Sequence, residues 1–140
     1  MMGPREGRVL VGEALAVLVS VHLLPRVQSV AVARDFVATT CTSNGVPAEV
    51  SETATLLVSE LVTNVVVHAR TEIAMHIRPE GQRLRVEVMD RDPAGQVQLL
   101  APDPTAQSGR GVHLVSVLAD DWGITSQVTG KTVWFELDIA

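Results

Sequence analysis

The spacing of the apolar residues changes abruptly at Ala69. Before it, Pro47–His68 reads as one long helix: Leu57, Leu61 and Val65 recur every fourth residue, and Val58 and Val62 widen the stripe. After it the period is two. Ile73, Met75 and Ile77 fall on one side of Thr71–Ile77, and Leu84, Val86 and Val88 on one side of Leu84–Met89, with Gly81-Gln82 between them. Two such runs joined by a short turn predict a hairpin. A chain that passes from a long apolar helix directly into paired strands can bury both only by laying the helix on the sheet.

The same helix carries a second row. Glu60, Asn64 and His68 share the four-residue spacing and stack on one face. A carboxylate, an amide and an imidazole flanked by apolar residues are costly to bury without partners. One reading is the solvent edge of an amphipathic helix. The other is a face turned toward a polar ligand.

The rest of the chain completes the pattern. Val27–Cys41 reads as helix, with Val30, Ala33, Phe36 and Val37 on one face. Ser43-Asn44-Gly45 stops it, Gly45 suiting a left-handed cap. Pro47 opens the next helix with Glu49 and Glu52 in its early turns. Asp90–Ser108, with Pro93, Gly95, Pro102 and Pro104, is irregular and long enough to act as a lid. Val112, Val115 and Leu118 turn inward on a short helix, and Trp122–Gln127 and Thr132–Ile139 form a last strand pair around Gly130-Lys131. Residues 1–7 are expected to be disordered. Arg8–Ser20 fits a helix and Val19–Leu24 an edge strand, and periodicity does not separate the two. The predicted fold is α+β: a two-layer sandwich, with helices packed on one face of a mixed or antiparallel sheet. Residues 1–24 are set apart as an N-terminal extension and 25–140 as the domain.

Composition narrows the function. The chain has 140 residues, which makes one domain with a real core. Its net charge of −5 argues against a nucleic-acid surface. A small anionic ligand is still compatible, held by backbone N–H groups, a cation or a metal ion. Val9–Leu24 is apolar after Arg5 and Arg8, and Ala31-Val32-Ala33 resembles a signal-cleavage site. However, Gly12-Glu13 interrupts the run, Glu6 dilutes the charge, and cleavage there would discard part of the first helix. The run is too short and interrupted to span a bilayer. It reads as an element packed on the domain or as a dimer contact. The single cysteine, Cys41, forms no intramolecular disulfide and reads as a small residue near a helix end. The expected compartment is the cytoplasm, with no membrane or nucleic-acid partner.

Four features line up in chain order: Glu60 and Asn64 on a helix, Asp90 at a strand end, Gly109-Arg110-Gly111 at a helix start, and Gly130-Lys131-Thr132 entering a late strand. Each is weak alone; in this order and on these elements they are specific. Ser59-Glu-Leu-Val-Thr-Asn-Val-Val-Val-His-Ala69, Gly109–Gly123 and Gly130–Leu137 resemble three signatures of the Bergerat-fold (histidine-kinase-like) ATPases. The match is strongest with the stand-alone anti-sigma-factor serine/threonine kinases of actinobacterial type, and it covers the chain from about Pro25 onward.

The resemblance implies ATP and Mg²⁺ as cofactors. It implies that Asn64 offers its amide oxygen to Mg²⁺, a hard cation that prefers oxygen. Glu60 is implied as the base that accepts a hydroxyl proton. Asp90 would accept a hydrogen bond from the adenine amine. Gly109 and Gly111 would let the backbone approach the phosphates, with Arg110 either touching a phosphate or paired outside the site. Thr132 would lie near the adenine or Asp90. His68 would support the site from behind, and Trp122 and Trp134 read as core. The implied function is sequestration of a sigma factor, with phosphorylation of a serine on an anti-anti-sigma antagonist of the STAS type, in a homodimer. Two departures stand out: Asp90-Arg91-Asp92-Pro93-Ala94-Gly95 lacks the fuller glycine pattern, and Val67 stands where many relatives carry a basic residue. They motivate an alternative, a non-catalytic ATP-binding or nucleotide-free interaction module.

Overall fold

The computed structural model describes residues 5–11, 14–93 and 107–139. Six strands form a sheet in the order β1-β2-β3-β4-β6-β5, where β1 is Arg5–Val11, β2 Ala14–Leu23, β3 Ile73–Glu80, β4 Arg83–Asp90, β5 Asp121–Gln127 and β6 Gly130–Asp138. Every described strand pair is antiparallel. The helices are α1 (Gln28–Ser43), α2 (Ala48–Asn64) and α3 (Gln107–Leu118). This is the expected α+β sandwich, with the sheet antiparallel rather than mixed.

The described part of the N-terminal segment is strand rather than helix and begins at Arg5, within the stretch 1–7 expected to be disordered, of which residues 1–4 lie outside the described residues. Arg5–Val11 pairs with Ala14–Ser20, and Val19–Leu23 pairs with Ile73–Ile77. Residues 14–23 therefore form an interior strand of the sheet, and β1, not Val19–Leu24, is the edge. Val21 and Leu23 are fully buried. Val19, Val21 and Leu23 alternate toward the core, as a strand requires.

One face of the sheet takes the helices. Leu84, Val86 and Val88 on β4 lie opposite Leu137, Phe135 and Val133 on β6, and all six are buried. Leu57, Val58, Leu61 and Val62 of α2 complete that layer. α2 lies over β4 and β6, with α1 and α3 packed against it. Each such side chain contributes about 1.5–3 kcal/mol when fully buried. The helix Ala48–Ala69 is apolar and long enough, at mean hydropathy 1.3, to cross a membrane by composition. Its apolar row instead covers this sheet. Gly45 takes the left-handed cap after α1, with φ +68°.

The other face of the sheet carries charge. Arg85 places its guanidinium 4.2 Å over the Trp134 ring, pairs with Glu87 at 3.1 Å and meets Glu136 at 3.3 Å. Arg83 reaches Glu136 at 3.2 Å and Asp138 at 2.9 Å. Trp134 pairs with Glu87 across the strands and so belongs to this face, helix-free among the described residues, and not to the core. Its ring fills the space above Gly123, where a Cβ would come within 2.7 Å of the indole.

Candidate functional site

α2 brings Glu60 and Asn64 to its C-terminal end, both half-buried and both engaged with neighbours. The α-helix stops at Asn64. Val65–Ala69 continues as a π-helical turn, closed by a hydrogen bond from the Arg70 amide to the Val65 carbonyl at 2.7 Å. The wider turn interrupts the four-residue row that joins Glu60, Asn64 and His68 in the sequence, and His68 is exposed. Arg70 then takes a left-handed conformation, φ 57° and ψ 38°, and turns the chain into β3. Turns of this kind inside helices recur at functional sites.

Asp90 ends β4. Alternation along the strand puts it on the helix-covered face with Leu84, Val86 and Val88, and it is 8% exposed. Its Oδ1 accepts the Asp92 amide at 2.8 Å, and its Oδ2 meets Lys131 Nζ at 2.8 Å. The two side chains face each other because Asp90 and Lys131 are partners in the β4–β6 ladder. Thr132 is partnered with Met89, so it stands on the opposite face from Asp90. The β6 residue that meets Asp90 is thus Lys131, the member of Gly130-Lys131-Thr132 for which no role was expected. Strand register is the signal that finds it.

A cavity of about 650 Å³ wraps this end of the sheet. Asp90, Gly130 and Lys131 line it, with His22, Ala74, Met89 and Thr132 from the helix-free side. Glu72 and Arg91, an exposed pair at 3.4 Å, stand at its rim. Glu60 and Asn64 do not line it. Gly109, Arg110 and Gly111 fall in the first turns of α3. Residues 94–106, which hold the expected lid, lie outside the described residues.

Cys41 is fully buried. Burial pushes its thiol pKa up, opposed in part by a hydrogen bond with Ser51. A thiol so placed is a poor nucleophile.

The arrangement is a familiar one. The crystal structure of the RsbU and RsbW domains of Rv1364c from Mycobacterium tuberculosis superposes with a TM-score of 0.66 at 17% identity, over 86% of this chain and 32% of that one. The present chain therefore spans about a third of that protein's length, and the likeness is one of fold. No curated protein matches it. The profile of the histidine kinase-like ATPase domain matches residues 23–137, from the end of β2 to the end of β6, and the chain belongs to that family.

Proposed function

We propose that this protein is an ATP-dependent anti-sigma-factor serine kinase. The observation that carries the reading is the buried Asp90 carboxylate at the end of β4, on the same face of the sheet as the helix that ends in Glu60 and Asn64. A buried carboxylate at a cavity wall suits the amine of an adenine. Asn64 and Glu60 supply hard oxygen atoms. Among the described residues no group of three or more His, Cys, Asp or Glu gathers around a common point. That donor set fits Mg²⁺, which is usually held by one or two protein oxygens, phosphates and water.

In this reading Asp90 would bind the base, Asn64 would offer its amide oxygen to Mg²⁺, and Glu60 would take the proton of the acceptor serine. The new O–P bond forms as the bond to the departing ADP breaks. Bound Mg²⁺ supplies charge neutralisation at the phosphates. Gly109 and Gly111, with Arg110, would approach the phosphates from the start of α3. The antagonist would be a STAS-type protein and the sequestered partner a sigma factor. We place the protein in the cytoplasm, as a homodimer through its apolar N-terminal strands. A monomer by light scattering at high concentration would remove the dimer.

Calorimetry with ATP tests the site: binding that needs Mg²⁺ and is abolished in Asn64→Ala supports it. Phosphate transfer to a co-purified antagonist at an unchanged rate in Glu60→Ala would rule out Glu60 as the base. A second reading, a module that binds ATP and partner without transfer, rests on Val67. This residue is apolar and 42% exposed just beyond Asn64, where a cation could meet a phosphate. Tight ATP binding with no transfer would favour it.

A further inference from the structure

The Asp90–Lys131 pair is out of place for packing alone. On the helix-covered face the β4–β6 ladder reads Leu84–Leu137, Val86–Phe135, Val88–Val133 and then Asp90–Lys131. Three apolar pairs are followed by an ion pair whose side chains are only 4% and 11% exposed. Desolvating two charges offsets most of what their attraction returns, so an apolar pair would serve stability as well. The pair borders a cavity, and its remaining hydrogen-bonding capacity is the reason to keep it.

A carboxylate offers about four lone-pair sites and an ammonium three donors. The Asp92 amide and Lys131 engage one site on each Asp90 oxygen. An acceptor and a donor thus stand side by side, 2.8 Å apart, at the cavity wall. The Watson–Crick edge of adenine presents the reverse pattern, the N6 amine as donor beside N1 as acceptor. Guanine and hypoxanthine set in the same orientation present O6 toward the carboxylate and N1–H toward the ammonium, a mismatch at both points.

We propose that Lys131 is a base-reading residue that donates to N1 of adenine, so that adenine is recognised at two points rather than by Asp90 alone. This rests on the nucleotide-binding reading above. Lys131 reaches the base only because Gly130, with φ 151°, lets β6 begin against the main chain of Asp90. A site built to hydrogen-bond a group rejects the analogue that lacks it, because its own buried polar atoms are left unpaired.

The test is equilibrium binding of ATP and of 1-deaza-ATP, in which a C–H replaces N1, to the full chain with Mg²⁺. Wild type is expected to bind ATP about tenfold more tightly than the deaza analogue, the loss of one charge-assisted hydrogen bond. Lys131→Met is expected to bind both equally, with the weaker affinity. Equal binding of the two nucleotides by wild type overturns the proposal, and this result depends on no variant folding. A Lys131→Met protein that weakens both nucleotides by the same factor also overturns it, since Lys131 then acts on a phosphate or on the fold. If wild type binds neither nucleotide, the nucleotide reading itself fails and this proposal goes with it.

Discussion

Gly130 passes so close to the main chain at Asp90 that no side chain fits between them. A Cβ built there overlaps the Asp90 carbonyl oxygen and comes within 2.9 Å of Arg91 Cα. Both obstacles are backbone and cannot swing aside, and the φ of 151° is itself one that glycine alone adopts readily. Gly130→Ala is therefore expected to cost about 2–4 kcal/mol, the sum of strain and overpacking. Urea denaturation measures it. A loss under about 0.5 kcal/mol, the range of an ordinary surface change, would mean the two strands are not held this close.

Glu87 ties acid stability to the helix-free face. The His76 ring, its Nδ1 3.6 Å from Oε1, and then the Arg85 guanidinium hold its carboxyl at about 2, against 4.5 when unperturbed, with burial opposing them. The folded-state pKa is the lower one, so the contribution is complete above about pH 4.5 and is lost as the pH falls toward 2. Wild type is expected to lose Tm across that window more steeply than Glu87→Gln. Parallel Tm profiles for the two would show that Glu87 contributes nothing there.

The buried thiol predicts silence toward reagents. Cys41 in the native protein is expected to resist a disulfide-exchange reagent at pH 8 and to react promptly in urea. Fast reaction of the folded protein would contradict the packing of α1 against the core.

Arg70 holds a left-handed conformation that a side chain makes unfavourable by about 1–2 kcal/mol. Arg70→Gly removes that penalty, partly offset by a more flexible unfolded chain and by loss of the exposed contact from Arg70 Nε to the Val67 carbonyl. A net gain of about 0.5–1 kcal/mol is expected, read as a higher urea midpoint. A lower midpoint would mean that the arginine side chain itself secures the turn into β3.

Much of the fold was legible because burial is periodic. Leu84, Val86 and Val88 alternate in the sequence as they alternate in the sheet, and Leu57, Leu61 and Val65 mark the helix face that covers them. β2 was harder to read, since Val17, Leu18, Val19 and Val21 are apolar without a clean period, which leaves helix and strand equally open. The π turn after Asn64 has no compositional mark, because it is a choice of hydrogen-bond partner rather than of residue. Asp90 was legible from its place at a strand end. Alternation with Val133, Phe135 and Leu137 sets Lys131 on the buried face and Thr132 on the other, but that Lys131 rather than Val133 stands opposite Asp90 depends on pairing two strands about forty positions apart. Trp134 was misplaced for a different reason: a large aromatic ring suggests core, whereas its parity between the buried Val133 and Phe135 puts it on the other face.

The β4–β6 ladder has one more consequence. Asp90 and Lys131 are set by strand pairing, from Arg83 with Asp138 to Asp90 with Lys131, and not by the chain that runs between them. Closing a longer loop costs only about 0.6 kcal/mol for each doubling of its length. The wall of the cavity is thus a property of strand pairing, which keeps Asp90 beside Lys131 although about forty residues separate them in the chain.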